Sequence, residues 1–194
     1  DSELVVLELQ TGKETRYPRG KEAVITPDSL FVIYTILPPK AEVDKAKKEK
    51  KKTEDQPKNG LGIINLKTGE LVTVDRVKSF KVAEDSGKFI AYLLEAPPGK
   101  ETDKDKTEKK KETKVGQEEK KESAQKPAEK QDEKKAEKKK EPGTELVIRH
   151  LETGKTVSVQ EVSEYAWSKD GRLLAYATSS KKPEGDGAFL YEPT

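Results

Sequence analysis

Apolar and polar positions along this chain fall into short runs that recur. ELVVLEL, LGIINL and ELVIRHL are rich in branched aliphatic residues and too short for helices, so they predict strands. Each run ends at a Thr-Gly pair: Thr11-Gly12, Thr68-Gly69 and Thr153-Gly154. Glycine there supplies the positive φ that a tight hairpin turn requires. A second run follows each turn, reading TRY, LVTV and TVSV. Next come EAVITPDS, KSFKVAED and SEYAWSKD, each closing on a turn rich in Asp, Ser or Gly, and then LFVIYTI, KFIAYLLE and RLLAYATS. The pattern predicts four short antiparallel strands per unit, with no helical period in these regions.

The spacing shows that the units are copies. Seven residues before each Thr stands Leu4, Leu61 or Leu146, and five before it Val6, Ile63 or Ile148. Seventeen residues after it come Asp28, Asp85 and Asp170, and Tyr34, Tyr92 and Tyr176 follow 23, 24 and 23 residues after it. Four-stranded units of about 40 residues, once insertions are set aside, are the signature of β-propeller blades. An ordinary β-sandwich does not require its strands to be copies, and the fixed repeat argues against one. The expected fold class is therefore all-β, a partial β-propeller of about three four-stranded antiparallel blades. Its blade parts are 1–39, 59–98 and 143–194, interrupted by Lys/Glu insertions at 40–58 and 99–142. Counted by strands, the chain enters midway through one blade, completes two and leaves a fourth at AFLYE. A closed propeller needs roughly four blades. The open sheet faces of this chain accordingly predict poor solubility in isolation. The third copy turns at Asp170-Gly171-Arg172, and the second carries one more residue at that turn, Asp85-Ser86-Gly87-Lys88, which a longer turn or a bulge would absorb. The first copy lacks the glycine, reading Asp28-Ser29-Leu30, and its turn is expected to be of a different type.

Composition changes the picture in one respect. Only 31% of the 194 residues are apolar and 39% are charged, too polar for one ordinary core. The charge is concentrated: residues 40–58 hold eight Lys and five acids, and residues 100–141 hold sixteen Lys and thirteen acids. Outside these tracts there are 15 basic and 19 acidic side chains, so the repeats themselves are mildly acidic. A nucleic-acid partner, which needs a basic face on the folded part, is not expected. Both tracts follow a strand closed by paired prolines, YTILPP and YLLEAPP, and return at Asn59-Gly60 and Pro142-Gly143. Occupying equivalent loops between the second and third strands, they should project side by side from one face. The longer tract has Val115 as its one large apolar residue and no aromatic, which predicts disorder, or transient helix interrupted at Pro127. A net charge of +3 on each gives only weak attraction to an anionic surface.

Candidate chemistry is sparse. The chain has no Cys, which removes disulfides, thiol nucleophiles and Cys-zinc sites. It has no Met and opens almost directly on an apolar run, and it reads as an internal segment of a longer protein. No apolar stretch approaches 18 residues, so no membrane-spanning helix is expected. Gly-x-Ser-x-Gly is absent, as is a phosphate-binding glycine loop. His150, the single histidine, lies in a strand without a nucleophile and acid beside it in sequence and reads as a surface strand residue. Glu184-Gly185-Asp186-Gly187 has too few ligands for a calcium loop and reads as a hairpin turn. Trp167, at the position of Ile25 and Val82, reads as blade core. No catalytic, cofactor-binding or metal-ligating residue and no cofactor is expected.

The run YAWSKDGRLLAYAT, preceded by LVIRHLETGKTVSV, resembles the "SPDG" propeller repeat shared by TolB-like proteins and prolyl-oligopeptidase-type serine peptidases. With the Lys/Glu insertion between YLLEAPP and ELVIRHLETGK and the later Asp-Gly loop, the pattern is similar to bacterial secreted peptidases of the prolyl oligopeptidase/dipeptidyl peptidase IV type. That resemblance implies a periplasmic or secreted protein in which a propeller gates and positions peptide substrates for a C-terminal α/β-hydrolase domain of the same parent chain. The catalytic motif positions of that family fall outside these residues, and the first copy departs from the repeat with TPDSLFVIY. A TolB-like, non-enzymatic propeller that binds protein partners is the alternative.

Overall fold

A computed structural model describes residues 2–96, 142–180 and 183–193. Twelve strands form in chain order: β1 (Glu3–Glu8), β2 (Lys13–Pro18), β3 (Gly20–Ile25), β4 (Phe31–Ile36), β5 (Gly60–Asn65), β6 (Leu71–Val74), β7 (Val77–Val82), β8 (Phe89–Leu94), β9 (Thr144–His150), β10 (Thr156–Trp167), β11 (Leu174–Thr178) and β12 (Gly187–Tyr191). Among the described residues one α-helix, α1 (Lys40–Lys48), stands between β4 and β5. The expectation of disorder or transient helix over the longer tract falls outside the described residues.

All pairings are antiparallel between neighbours in sequence. β1 and β2 form a hairpin, β3 to β6 a four-stranded sheet, and β7 to β12 a sheet of six. The six-stranded sheet corrects the expectation of separate strands over TVSV and SEYAW. They are the two halves of β10, a single strand of 12 residues. Its first half pairs with β9 and its second with β11, with register shifts around Val162. The sheet is therefore two blades joined through one strand. Four blades result: β1–β2; β3–β6; β7–β9 with the first half of β10; and the second half of β10 with β11 and β12. This is an all-β, partial β-propeller.

The blades pack face to face, and in the second and third blades this covers both faces of the second and third strands, which explains why those strands read as unbroken apolar runs. On β4, Phe31 and Ile33 join Leu61 and Ile63 against Val77, Ile90, Tyr92 and Val147 of the next blade. Val32 and Tyr34 point the other way, with Ile64, onto Leu4, Val6 and Tyr17 of the first hairpin. The third blade repeats the arrangement, setting Ala91, Leu93, Leu146 and Ile148 against Val162, Tyr165 and Leu174. Leu61, Ile90, Leu146 and Leu174 are fully buried. Truncating any such side chain to Ala costs about 2–5 kcal/mol.

The Thr-Gly turns are equivalent in detail. Gly12, Gly69 and Gly154 have φ of 71°, 75° and 71°. Their amides donate to the carbonyls of Glu8, Asn65 and His150 at 2.8, 2.8 and 2.9 Å. Each turn's Thr Oγ1 accepts from the amide two residues on.

The Asp turns bring a second correction. In the third copy the Ser168 hydroxyl donates to Asp170 Oδ1 and accepts from the Leu173 amide, while Asp170 Oδ1 accepts from the Arg172 amide. The first copy matches this set with Thr26, Asp28, Phe31 and Leu30. Instead of changing turn type, Ser29 takes the left-handed conformation of Gly171, with φ of 57° against 70°. The buried Thr26 network fixes the turn and forces the serine into that conformation. In the second copy Ala83 replaces the hydroxyl, and the extra residue is accommodated in a looser bend whose Asp85 amide donates to Lys169 O at 2.9 Å.

A further repeat lies in the backbone. Eight residues after each Thr, Arg19, Arg76 and Glu161 are left-handed at φ of 62°, 60° and 61°. Their carbonyls accept from the amides of Leu37, Glu95 and Ser179, which tie down the start of each loop after a second strand. The Arg19 and Arg76 guanidiniums donate back to Leu37 O and Glu95 O. The roots of the two charged tracts are thus held alike, and an ion pair of 3.7 Å joins Lys58, where the first returns, to Glu95, where the second leaves.

Helix α1 starts at Pro39, where φ is already fixed. It ends with the left-handed Lys50 (φ 50°), whose amide donates to Lys47 O while the Lys51 amide donates to Ala46 O. Those two bonds make a Schellman closure with Lys in the place of the usual Gly.

Candidate functional site

In the second, third and fourth blades the first strand leaves one edge without a strand partner among the described residues. β3 and β7 end their sheets, and the second half of β10 pairs only with β11. These three strands converge on a cleft of about 820 Å³. Val24 and Ile25 from β3, Phe80 and Val82 from β7, and Trp167 from β10 give it apolar surface; Glu22, Glu84, Lys81 and Lys169 add charge.

The wall between β7 and β10 is fastened by side chains in place of a strand ladder. The Trp167 indole N–H donates to Lys81 O at 3.0 Å. Lys81 Nζ donates to Tyr165 O at 2.8 Å and lies 5.2 Å from the centre of the Tyr165 ring. Tyr165 Oη and Ser79 Oγ share a hydrogen bond of 3.1 Å. Burial pushes the Tyr165 phenol up to about 12, with the Ser79 bond pulling in the opposite direction, so the ring stays neutral and hydrogen-bonded through the physiological range. Nearby, Lys169 approaches Glu84 and Asp85 of the preceding blade at 4.0 and 3.9 Å. Both partners are exposed, and such pairs add little.

Close approach explains two glycines at the rim. A Cβ on Gly171 would fall 2.7 Å from Ser86 Cβ and 3.0 Å from Ala83 Cβ, and one on Gly87 would collide with the Asp28 carboxylate. The Asp turns of successive blades therefore sit shoulder to shoulder around the mouth of the cleft.

The residues singled out from sequence lie as follows. Trp167 is half-buried against Phe89, ring centres 6.3 Å apart, and borders the cleft with its N–H already engaged. His150 lies away from the cleft, in the outer turn between β9 and β10. There its Nδ1 accepts from the Thr153 amide at 3.3 Å and its ring meets Phe89 edge-on. It stands where Glu8 and Asn65 stand in the other copies. The Glu184–Gly187 segment ends the β11–β12 connection and enters β12, with Asp186 Oδ1 accepting from the Ser180 amide and Thr178 Oγ1 donating to Gly185 O. Among the described residues no group of three or more His, Cys, Asp or Glu is placed to hold a metal ion. None of their helices is long and apolar enough to cross a membrane. The Ser79–Lys81–Tyr165 fastening was missed because its partners are 84 and 86 residues apart and no local pattern links them. The lining of the cleft mixes apolar side chains with Glu22, Lys81, Glu84 and Lys169.

No family model and no curated protein matches this chain. Among solved structures, the β-propeller domain of the Trilobed protease from Pyrococcus furiosus, described as having an open velcro topology, is 14% identical. Its TM-score is 0.39, over 84% of this chain and 36% of that one. The tricorn protease is 12% identical, with a TM-score of 0.43 over 89% of this chain and 12% of that one. The Pyrococcus horikoshii acylaminoacyl peptidase is 12% identical, with a TM-score of 0.42 over 98% and 26%. The chain thus spans 36% or less of each of these three proteins. The fold assignment rests on the strand order, register and packing described above.

Proposed function

We propose that these residues form the non-catalytic propeller portion of a secreted prolyl-oligopeptidase-family serine peptidase. The cleft between β3, β7 and β10 would admit and position peptide substrates for an α/β-hydrolase domain that these 194 residues do not contain. The observation that carries this reading is the convergence on one cleft of three repeat-equivalent strands, each with an edge that lacks a strand partner among the described residues and is bridged only at Lys81 O and Tyr165 O by side chains. A free strand edge offers alternating N–H and C=O groups to an extended chain, and flanking pockets sort its side chains. An extended peptide satisfies those groups, whereas the surface of a folded protein keeps its own backbone paired. The resemblance of YAWSKDGRLLAYAT to peptidase propeller repeats supports the choice of family.

The test uses Trp167, the single tryptophan, as reporter. Titration of the 194-residue chain with an unstructured proline-containing decapeptide should change its fluorescence saturably. Replacing the exposed Ile25 with Arg, which blocks the cleft from β3, should weaken binding at least tenfold. The same sample should leave a prolyl reporter substrate intact. Equal binding by the Ile25→Arg chain, no saturation, or hydrolysis of the reporter would each refute the reading.

A further inference from the structure

Between the second and third blades the repeat places a charge where its other copies have bulky uncharged side chains. Arg149 pairs with Ile90 as Ile64 pairs with Val32 and as Tyr191 pairs with Leu174. Ile64 is fully buried, and Tyr191 packs against the core. Arg149 shares a face of β9 with Val147, which packs against the second blade. There it lines a cavity of about 190 Å³ whose apolar wall is Phe31 and Ile63 of the second blade and Leu151 of the third. The exposed Glu70 and Glu152 also line it. Among the described residues the guanidinium of Arg149 makes no hydrogen bond or ion pair, nor do the carboxylates of Glu70 and Glu152. Opposite charges thus stand around one small cavity without closing on each other. Gly154 leaves the guanidinium room, since a Cβ there would lie 3.3 Å from Arg149 Nη2. Burial pushes the Tyr92 phenol up and the charge of Arg149 pulls it back, so the field of the guanidinium reaches into the interface. This cavity shares no residue with the cleft between β3, β7 and β10.

We propose that this cavity is a second binding site, for a free α-amino acid with an apolar side chain. The planar fork of Arg149 matches a carboxylate with two parallel N–H donors. Glu70 and Glu152 receive the ammonium group, and Phe31, Ile63 and Leu151 receive the side chain. A simple anion would satisfy the arginine and meet two carboxylates; a simple amine would do the reverse. A zwitterion satisfies both sets at once. Size makes the same selection: pockets for drug-sized ligands hold about 300–1,000 Å³, and this one is smaller. The fold does not itself require the arginine, because Ile64 and Tyr191 serve at the same position in other blades.

Calorimetric titration of the 194-residue chain with L-leucine tests this. Binding should saturate below about 10 mM, as suits a ligand of so few atoms. L-leucinamide, which lacks the carboxylate, and N-acetyl-L-leucine, which lacks the ammonium, should each bind at least about tenfold more weakly. Arg149→Ile copies the residue of the second blade and should keep the circular dichroism spectrum while losing the leucine signal. Glu70→Gln with Glu152→Gln changes only exposed side chains and should weaken leucine binding without affecting the fold. Ile25→Arg, which blocks the other cleft, should leave it unchanged. No saturable heat from leucine would overturn the proposal. So would equal binding of leucinamide, full binding by either the Arg149 or the double glutamate variant, or loss of binding in Ile25→Arg.

Discussion

In the turns, left-handed backbone makes single residues matter. Ser29 and Gly171 occupy the same position of the same turn, but only one has the residue type that the conformation favours. Ser29→Gly should raise stability by about 0.5–1 kcal/mol, because a side chain at positive φ costs about 1–2 kcal/mol and the extra freedom of unfolded Gly returns part of that. Gly171→Ala should do the opposite, by at least ~2 kcal/mol, since it combines positive φ with contact against Ser86 and Ala83. Urea midpoints of the two variants check both signs. Asp170 offers a pH test. Hydrogen bonds from Ser168 and Arg172 hold its carboxyl down at about 2, below its unfolded value near 4. Its contribution is therefore present above about pH 4 and lost as pH falls towards 2. Stability of the Asp170→Asn variant, followed by urea denaturation between pH 2 and 5, should vary less steeply with pH than that of the unmodified chain. The Thr-Gly corners were legible in sequence because glycine advertises positive φ. Ser29 was not, because the hydroxyl–carboxylate network of Thr26 and Asp28 overrides the preference of the residue it encloses. Arg19, Arg76 and Glu161 were hidden for a related reason: two arginines and a glutamate share a backbone state and not a side-chain chemistry.

At the level of elements, strand identity was readable from apolar runs, and strand joining was not. TVSV and SEYAW looked like two strands because QEV breaks the alternation between them. The break is a bulge around Val162, and the chain continues extended through it into the next blade. Apolar runs report burial, and burial on both faces leaves no periodic signature that separates one sheet from its neighbour. The side-chain fastening between β7 and β10 gives the second-order test. The raised phenol of Tyr165 makes a contribution that is intact below about pH 10, where an unfolded tyrosine titrates, and that fades as pH rises towards 12. Tyr165→Phe should flatten the alkaline limb of the stability profile over that window and cost about 1 kcal/mol at neutral pH for the lost bond to Ser79. Combined with Ser79→Ala, the two losses should be less than additive, as expected for partners in one bond.

Across the whole molecule, charge and fold are separate matters. The mean hydropathy of −0.95 is set by the Lys/Glu tracts, while the repeats carry enough aliphatic surface to build three sheet-on-sheet interfaces. Part of the first tract is structured: α1 buries Ala46 and the returning Lys58 pairs with Glu95. The stack as a unit was visible in the sequence because identical spacing means identical geometry. The cleft was not, since it arises only when equivalent strands from separate copies meet. The most direct test of that meeting uses the one indole N–H, a resonance that requires no assignment strategy. In an NMR spectrum of the 194-residue chain, the Trp167 indole proton should show cross-peaks to Lys81 and Val82, with the ring in contact with Phe89. Cross-peaks confined to residues 160–176, with none to β7 or β8, would contradict the side-by-side packing of successive blades.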